Sequence, residues 1–360
     1  MQIVKTVLFG GSLFGAAVMA QDLTPLQLRA ACQSSPQNTI VVNSPIKVAN
    51  YTPRVNVSTG CRIVFGATGK LEMDSINMGF AGPLVLQGGV TSGAILIKSL
   101  VEAPSVRVDL SGGDNVVSLG ESTLRATSGD VAINVGQNSK LDVASRFSGR
   151  AHALIAAGSI QVTGGFKFDA SFSDSSVSGN GGVTVSGAGD EMTLNAGNSN
   201  LISTAGAVAI TSPGRQASYT HAVGQLRGAT GITVSFAGNE GQATLQQVTA
   251  NAGSGSLTVM TALGGARPAK SIVAESNITA GGSVSIVAAE TGNSGEAALE
   301  TSRVVATGAI VVRSGPLGTT NVKLNTLRSS VLTGAYTGPS GSCTAENNSI
   351  LAPAQAMCLP

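Results

Sequence analysis

Tryptophan is absent from this 360-residue chain, and the other aromatic residues amount to three Tyr and nine Phe. Charged residues make up only 11%, about half the usual share. The net charge is +2, so the concentrated basic face that nucleic-acid binding needs is missing. There are two histidines, His152 and His221, and four cysteines whose spacings fit no zinc pattern. Beyond residue 20 no apolar run approaches the length of a membrane-spanning helix. The aromatic girdles of an outer-membrane barrel are missing as well. What remains is abundant: 42% hydrophobic residues and 47 glycines, against an average glycine share of roughly 7%. Such a chain has to pack, and it has to turn often.

The first twenty residues, "MQIVKTVLFGGSLFGAAVMA", read as a secretory leader. Lys5 opens it, an apolar run follows, and Val18-Met19-Ala20 supplies the cleavage positions. Its removal takes away only Lys5 and leaves the mature chain at +1. No transmembrane segment is expected in that chain, and the expected location is secreted: extracellular, at the cell surface, or in the periplasm. In an exported protein the cysteines read as disulfides. Cys32 and Cys61 lie near the start, Cys343 and Cys358 near the end, which suggests one staple at each end.

The sequence keeps repeating one phrase. A small residue precedes an apolar-x-apolar pair in "GDVAINV", "GSIQVTG", "GVTVSG", "GAVAIT", "GITVSF", "GSLTVM", "GSVSIV" and "GAIVVR". The leading apolar residues are Val131, Ile160, Val183, Val208, Ile232, Leu257, Val284 and Ile310, spaced 29, 23, 25, 24, 25, 27 and 26 apart. "GPLVLQG" at 82, "GAILIK" at 93 and "PSVRVDLSGG" at 104 read as less regular versions. Each unit adds a second short apolar stretch, such as "ATLQQV", and a third, such as "NLIS", between corners rich in Gly, Asn and Ser. Those residues accept left-handed backbone geometry or bond their own backbone.

A fixed period means stacked supersecondary units. Two or three strands per 25-residue unit predict an all-β fold, a right-handed parallel β-helix (solenoid) of roughly eleven coils, capped at both ends. A hexapeptide helix, a propeller and an antiparallel sandwich each demand a different period or none. The expected organisation is a signal peptide at 1–20 and an N-terminal cap with a short helix and first strands at 21–61. The β-helix follows at 62–335, and a disulfide-linked C-terminal cap at 336–360. In "LTPLQLRAACQSSPQ" an amphipathic helix is expected over the first coil, tied down by Cys32 to Cys61.

Units such as "LNAGNSNLISTAGAVAITSPG" and "ESNITAGGSVSIVAAETG" resemble the repeats of filamentous haemagglutinin-type bacterial adhesins, and more broadly the pectin-lyase-like β-helix proteins. The resemblance covers residues 80 to 335 and implies secretion, a rod-shaped scaffold and surface attachment. It departs from large haemagglutinins in showing no Asn-Pro motifs of a secretion domain.

Chemistry is thinly represented. Polysaccharide-cleaving β-helices need paired carboxylates, or an acid cluster with a base. The candidates are Asp169, Asp174, Asp190 and Glu191. Glu191, Arg215 and Glu240 each follow the small residue before a strand (Gly182, Gly206, Gly231) by nine positions. That predicts one column of alternating charge, read as a solvated ladder rather than a catalytic patch. Tyr219 and His221 share a strand face and form a candidate sugar contact; His152, among apolar residues, reads as packed. No cofactor or metal is expected. The leading reading is a non-enzymatic, adhesin-like scaffold at the surface or in the matrix. The alternatives are a polysaccharide lyase or hydrolase and a self-assembling structural subunit. The candidate partners are a polysaccharide or other cell-surface ligand and a second copy of the chain.

Overall fold

The computed structural model describes residues 17–18, 22–49, 53–88, 92–110, 112–144, 152–262, 269–289, 295–314, 319–323, 332–337 and 342–346. The chain winds as an all-β parallel solenoid of about 11 turns, with about 25 residues per turn. Each coil contributes to three parallel sheets, numbered here in the order the chain visits them. The expected phrase forms sheet 1. Its leading residues stack without a break: Val131 pairs with Ile160, then Val183, Val208, Ile232, Leu257, Val284 and Ile310.

Two positions on, a second column runs from Ile40 through Ile63, Leu86, Val108, Ile133, Val162, Val185, Ile210, Val234, Val259 and Ile286 to Val312. Every member is at most 4% exposed. Alternation puts these β-branched and leucine side chains on one face of each strand. Parallel in-register pairing then lays them over one another about 4.8 Å apart, and the columns fuse into one dry core. The "GPLVLQG" and "PSVRVDLSGG" segments belong to this sheet. "GAILIK" does not: Gly93–Ile97 pairs with Lys70–Asp74 and Val116–Gly120 on sheet 2. An apolar-x-apolar phrase after a glycine marks a strand, and its neighbours decide which face it joins.

Sheet 3 carries its own column, from Val55 through Met78, Val101, Leu124, Leu154, Val177, Leu201, Leu226, Ala250 and Ile278 to Val304. Between sheets 2 and 3 the coil turns through a single left-handed residue: Ser75, Lys98, Glu121, Asp174, Asn198, Val223, Gln247, Glu275 or Thr301, with φ between 47° and 62°. In Glu191–Ser203, Gln216–Gly228 and Glu240–Asn251 the pairing runs straight round this corner, so one long strand serves both sheets.

At the N-terminal end a helix, Pro25–Ser34, starts with a reciprocal capping box between Thr24 and Gln27. It packs against the first strands of all three sheets and places Leu28 and Cys32 in the core. Cys32 is disulfide-bonded to Cys61, as the spacing suggested. Ahead of the helix, Ala17–Val18 pairs with Val41 and Val42 on sheet 1, and Asp22–Leu23 pairs with Lys47 and Val48 on sheet 2. Toward the other end, parallel pairing continues through Ser342–Glu346, beyond the expected limit at 335. Cys358 lies outside the described residues, as does the side chain of Cys343, and with them the second staple.

Candidate functional site

The expected charge column lies where coils pass from sheet 1 into sheet 2. Its members are Lys167, Glu191, Gln216 and Glu240, in register on successive strands. Arg215 is not among them. The ruler for the expectation was the glycine before each strand, but Gly206 is followed by Ala207 before the inward Val208, whereas Gly182 and Gly231 lead directly into Val183 and Ile232. Register follows the buried residue, so the true column is one position later in that coil.

Arg215 therefore sits one step earlier, in a parallel strip with Phe166 and Asp190. The backbone fixes the strip: Glu191 N–H donates to Phe166 O (3.0 Å), Gln216 N–H to Asp190 O (2.9 Å) and Glu240 N–H to Arg215 O (2.9 Å). The Arg215 guanidinium reaches back to Asp190 (Nη2–Oδ2, 3.3 Å) and to Glu191 (4.0 Å). The Lys167 ammonium lies 2.8 Å from Glu191. Donation to that carboxylate holds the Lys167 ammonium above its ordinary pKa. The Gln216 side chain donates to Glu240. These side chains are 29% to 63% exposed, so each pair adds little to stability and salt weakens it.

Of the remaining acids, Asp169 flanks Lys167 on the same strand face, and Asp174 lies beyond that strand. Asp169 lies on the outer face of sheet 2, opposite Thr193 and two positions along the strand. Asp174 occupies the left-handed corner beyond that strand and accepts from Asn198 Nδ2 at 2.6 Å. Among the described residues, no group of three or more His, Cys, Asp or Glu side chains is arranged to hold a metal ion.

Tyr219 and His221 do share a strand face, but that face is the interior. Both are fully buried, which corrects their placement on a surface patch. Tyr219 follows Leu194 and precedes Ala243 in its column; His221 lies between Ala196 and Leu245. The small alanines leave room for the rings. His221 Nε2 is 3.1 Å from Ser199 O, and Nδ1 is 2.8 Å from the Tyr219 hydroxyl. A carbonyl only accepts, so Nε2 carries the hydrogen and Nδ1 accepts from Tyr219. Burial pushes the His221 pKa down to about 4 and keeps the Tyr219 hydroxyl protonated. The side chain of His152 lies outside the described residues.

Three features were missed by sequence reasoning. Phe166, 56% exposed, is the most exposed large apolar side chain among the described residues, and it heads the strip with Asp190 and Arg215. The signal was present: an aromatic after two glycines in "TGGFKF", at a corner where the neighbouring coils have Gln137, Asp190 and Arg215.

The second is a serine ladder. Immediately after the left-handed corner stand Ser99, Ser122, Ser175, Ser199, Ser276 and Ser302, all buried. Ser122 Oγ accepts from Ser99 N–H (3.0 Å), Ser276 Oγ from Val248 N–H (3.1 Å) and Ser302 Oγ from Ser276 N–H (3.1 Å). Each of these three hydroxyls donates to a carbonyl two residues back in its own coil. The corner would otherwise strand both groups in the core, at a cost of about 1–3 kcal/mol for each.

The third lies on the outer face of sheet 3, where Arg54 and Arg125 converge on Glu102, which is 7% exposed. Arg54 reaches it by lying across Gly79, whose missing side chain leaves the path open.

The fold and these surfaces define a parallel β-solenoid with a continuous apolar core and ion pairs on its outer faces. No known family profile matches the chain, no curated protein matches its sequence, and no solved structure matches its fold at a significant level.

Proposed function

We propose that the protein is an exported, non-enzymatic rod that attaches to a polysaccharide at the cell surface or in the surrounding matrix. The observation that carries this reading is the strip Phe166, Asp190, Arg215. It sets an exposed aromatic ring beside a carboxylate and a guanidinium on consecutive coils, about 4.8 Å apart. An apolar ring face and flanking hydrogen-bonding groups are the complement of a pyranose, whose faces are apolar and whose rim is hydroxylated. The rod adds reach: eleven steps between Ile40 and Val312 make it about 53 Å long. Non-enzymatic action is in keeping with the ion pairing of Glu191 and Asp190, which are each held by a cation.

The test is binding of the purified chain to insoluble cellulose, chitin and peptidoglycan and to a glycan array, with Phe166→Ala and Arg215→Ala beside the wild type. Retention by one glycan class, weakened at least tenfold by Phe166→Ala, is the expected result. Release of reducing ends or unsaturated products from any acidic polysaccharide would replace this reading with the hydrolase or lyase alternative.

A further inference from the structure

The three sheets are covered differently where the solenoid begins. Asp22–Leu23 pairs with the first strand of sheet 2, and the helix Pro25–Ser34 packs mainly against the first strand of sheet 3, touching those of sheets 1 and 2 less without pairing with either. The first strand of sheet 1, Thr39–Val42, pairs on its outer edge with Ala17–Val18. Those two residues precede Met19-Ala20, the end of the segment that reads as a leader. Hydrolysis of the Ala20–Gln21 peptide bond, with one water added to give the Ala20 carboxylate and the Gln21 amine, detaches that strand and leaves the other two coverings in place.

Nothing upstream in the mature chain refills the gap. Only Gln21 remains ahead of Asp22, and a single residue spans at most about 3.5 Å. Val41 and Val42 then present open backbone groups on a strand already shown to accept a parallel partner. At the other end of sheet 1, Ala335–Thr337 pairs with Ala309–Val311 on one edge, and no strand among the described residues pairs with its other edge.

We infer that removal of the leader converts the Thr39–Val42 edge into a docking strand for a second copy of this chain, so that processing and end-to-end assembly are coupled. An edge that takes a parallel strand in register is the template by which sheets extend between molecules. A head-to-tail contact of this kind does not close on itself and propagates into a filament. The inference rests on the export reading, since the leader must be cut.

Analytical ultracentrifugation of the 21–360 chain over a wide concentration range tests it. The expected result is a mass that rises above the monomer with concentration. Association should weaken at least tenfold in Val41→Lys, which places a charge on the edge strand, and should reverse on adding a peptide of residues 14–20. A monomer at every concentration overturns the inference, and so does association that neither the variant nor the peptide affects. The peptide arm uses the unmodified chain, so it stands even where Val41→Lys fails to fold. N-terminal sequencing of the exported protein separates the two claims. A start other than Gln21 defeats the leader assignment, whereas the centrifugation result judges the edge by itself.

Discussion

The buried imidazole should make this solenoid acid-labile in a defined window. His221 is fully buried, and its neighbours are Ala196, Leu245, the Ser199 carbonyl and the Tyr219 hydroxyl. In the neutral form Nδ1 accepts from the Tyr219 hydroxyl; protonation would make that hydroxyl the acceptor, take away the acceptor for its own hydrogen and leave a charge in the core. Desolvation accordingly lowers the pKa from 6.5 to about 4, partly opposed by the bond to Ser199. A depressed histidine contributes stability that is fully present above pH 6.5. The contribution is lost as the pH falls toward 4, because the unfolded chain binds the proton first. The interval corresponds to about 3 kcal/mol.

The assay is urea unfolding at pH 7.5 and pH 4 for the wild type and for Tyr219→Phe/His221→Leu. Removing both partners together leaves only the Ser199 carbonyl without its imidazole donor, so at pH 7.5 the double variant should lose about 1–3 kcal/mol. His221→Leu alone strands the Tyr219 hydroxyl as well and should cost about 1–3 kcal/mol more. Surface carboxylates titrate equally in all three chains, so they cancel in the comparison. If wild type and double variant lose the same stability between the two pH values, His221 is not the acid-sensitive element and the buried-neutral argument fails.

Other outcomes follow from the corners and the surface ladder. Ser276→Ala removes the acceptor for Val248 N–H and should destabilise by about 1–3 kcal/mol in urea unfolding, with accelerated hydrogen exchange at the Val248 amide. Val223, a β-branched and exposed residue with φ of 62°, should gain about 1 kcal/mol on substitution by Asn, which tolerates that backbone; a lower melting temperature in Val223→Asn would contradict the strain assigned there. Arg215→Ala should change stability by no more than about 1 kcal/mol, and the difference should shrink in 1 M salt. A larger, salt-independent loss would mean the strip is structural rather than a solvated ladder.

Much of the fold is legible because a strand's alternation and a coil's period are both local in sequence. The leading residues from Val131 to Ile310 stack in the order the spacing implied, and the third stretch "NLIS" falls on sheet 3. Legibility ends at the corners. In Glu191–Ser203 the buried positions are Met192, Leu194 and Ala196, then Ser199, Leu201 and Ser203. The left-handed Asn198 shifts the phase from even to odd. A pattern followed through such a corner points outward when the chain points inward. That is why the sheet carrying "GAILIK" and the role of the corner serines were not readable from one coil; the position of Arg215 was hidden by the extra Ala207 ahead of its coil's first strand.

By itself, then, the amino-acid order determined the period, the parallel architecture and which aliphatic side chains within the repeated phrase face the core. These depend on near-neighbour alternation and on residues that turn. Tertiary structure decided what touches across coils: that Tyr219 and His221 point inward, that Ser199 supplies the carbonyl that makes this tolerable, and that Phe166, Asp190 and Arg215 share a corner. Those contacts join residues about 25 positions apart. Their register is set by the buried residues on both sides, so the polar groups are carried to positions that their own sequence neighbours do not specify.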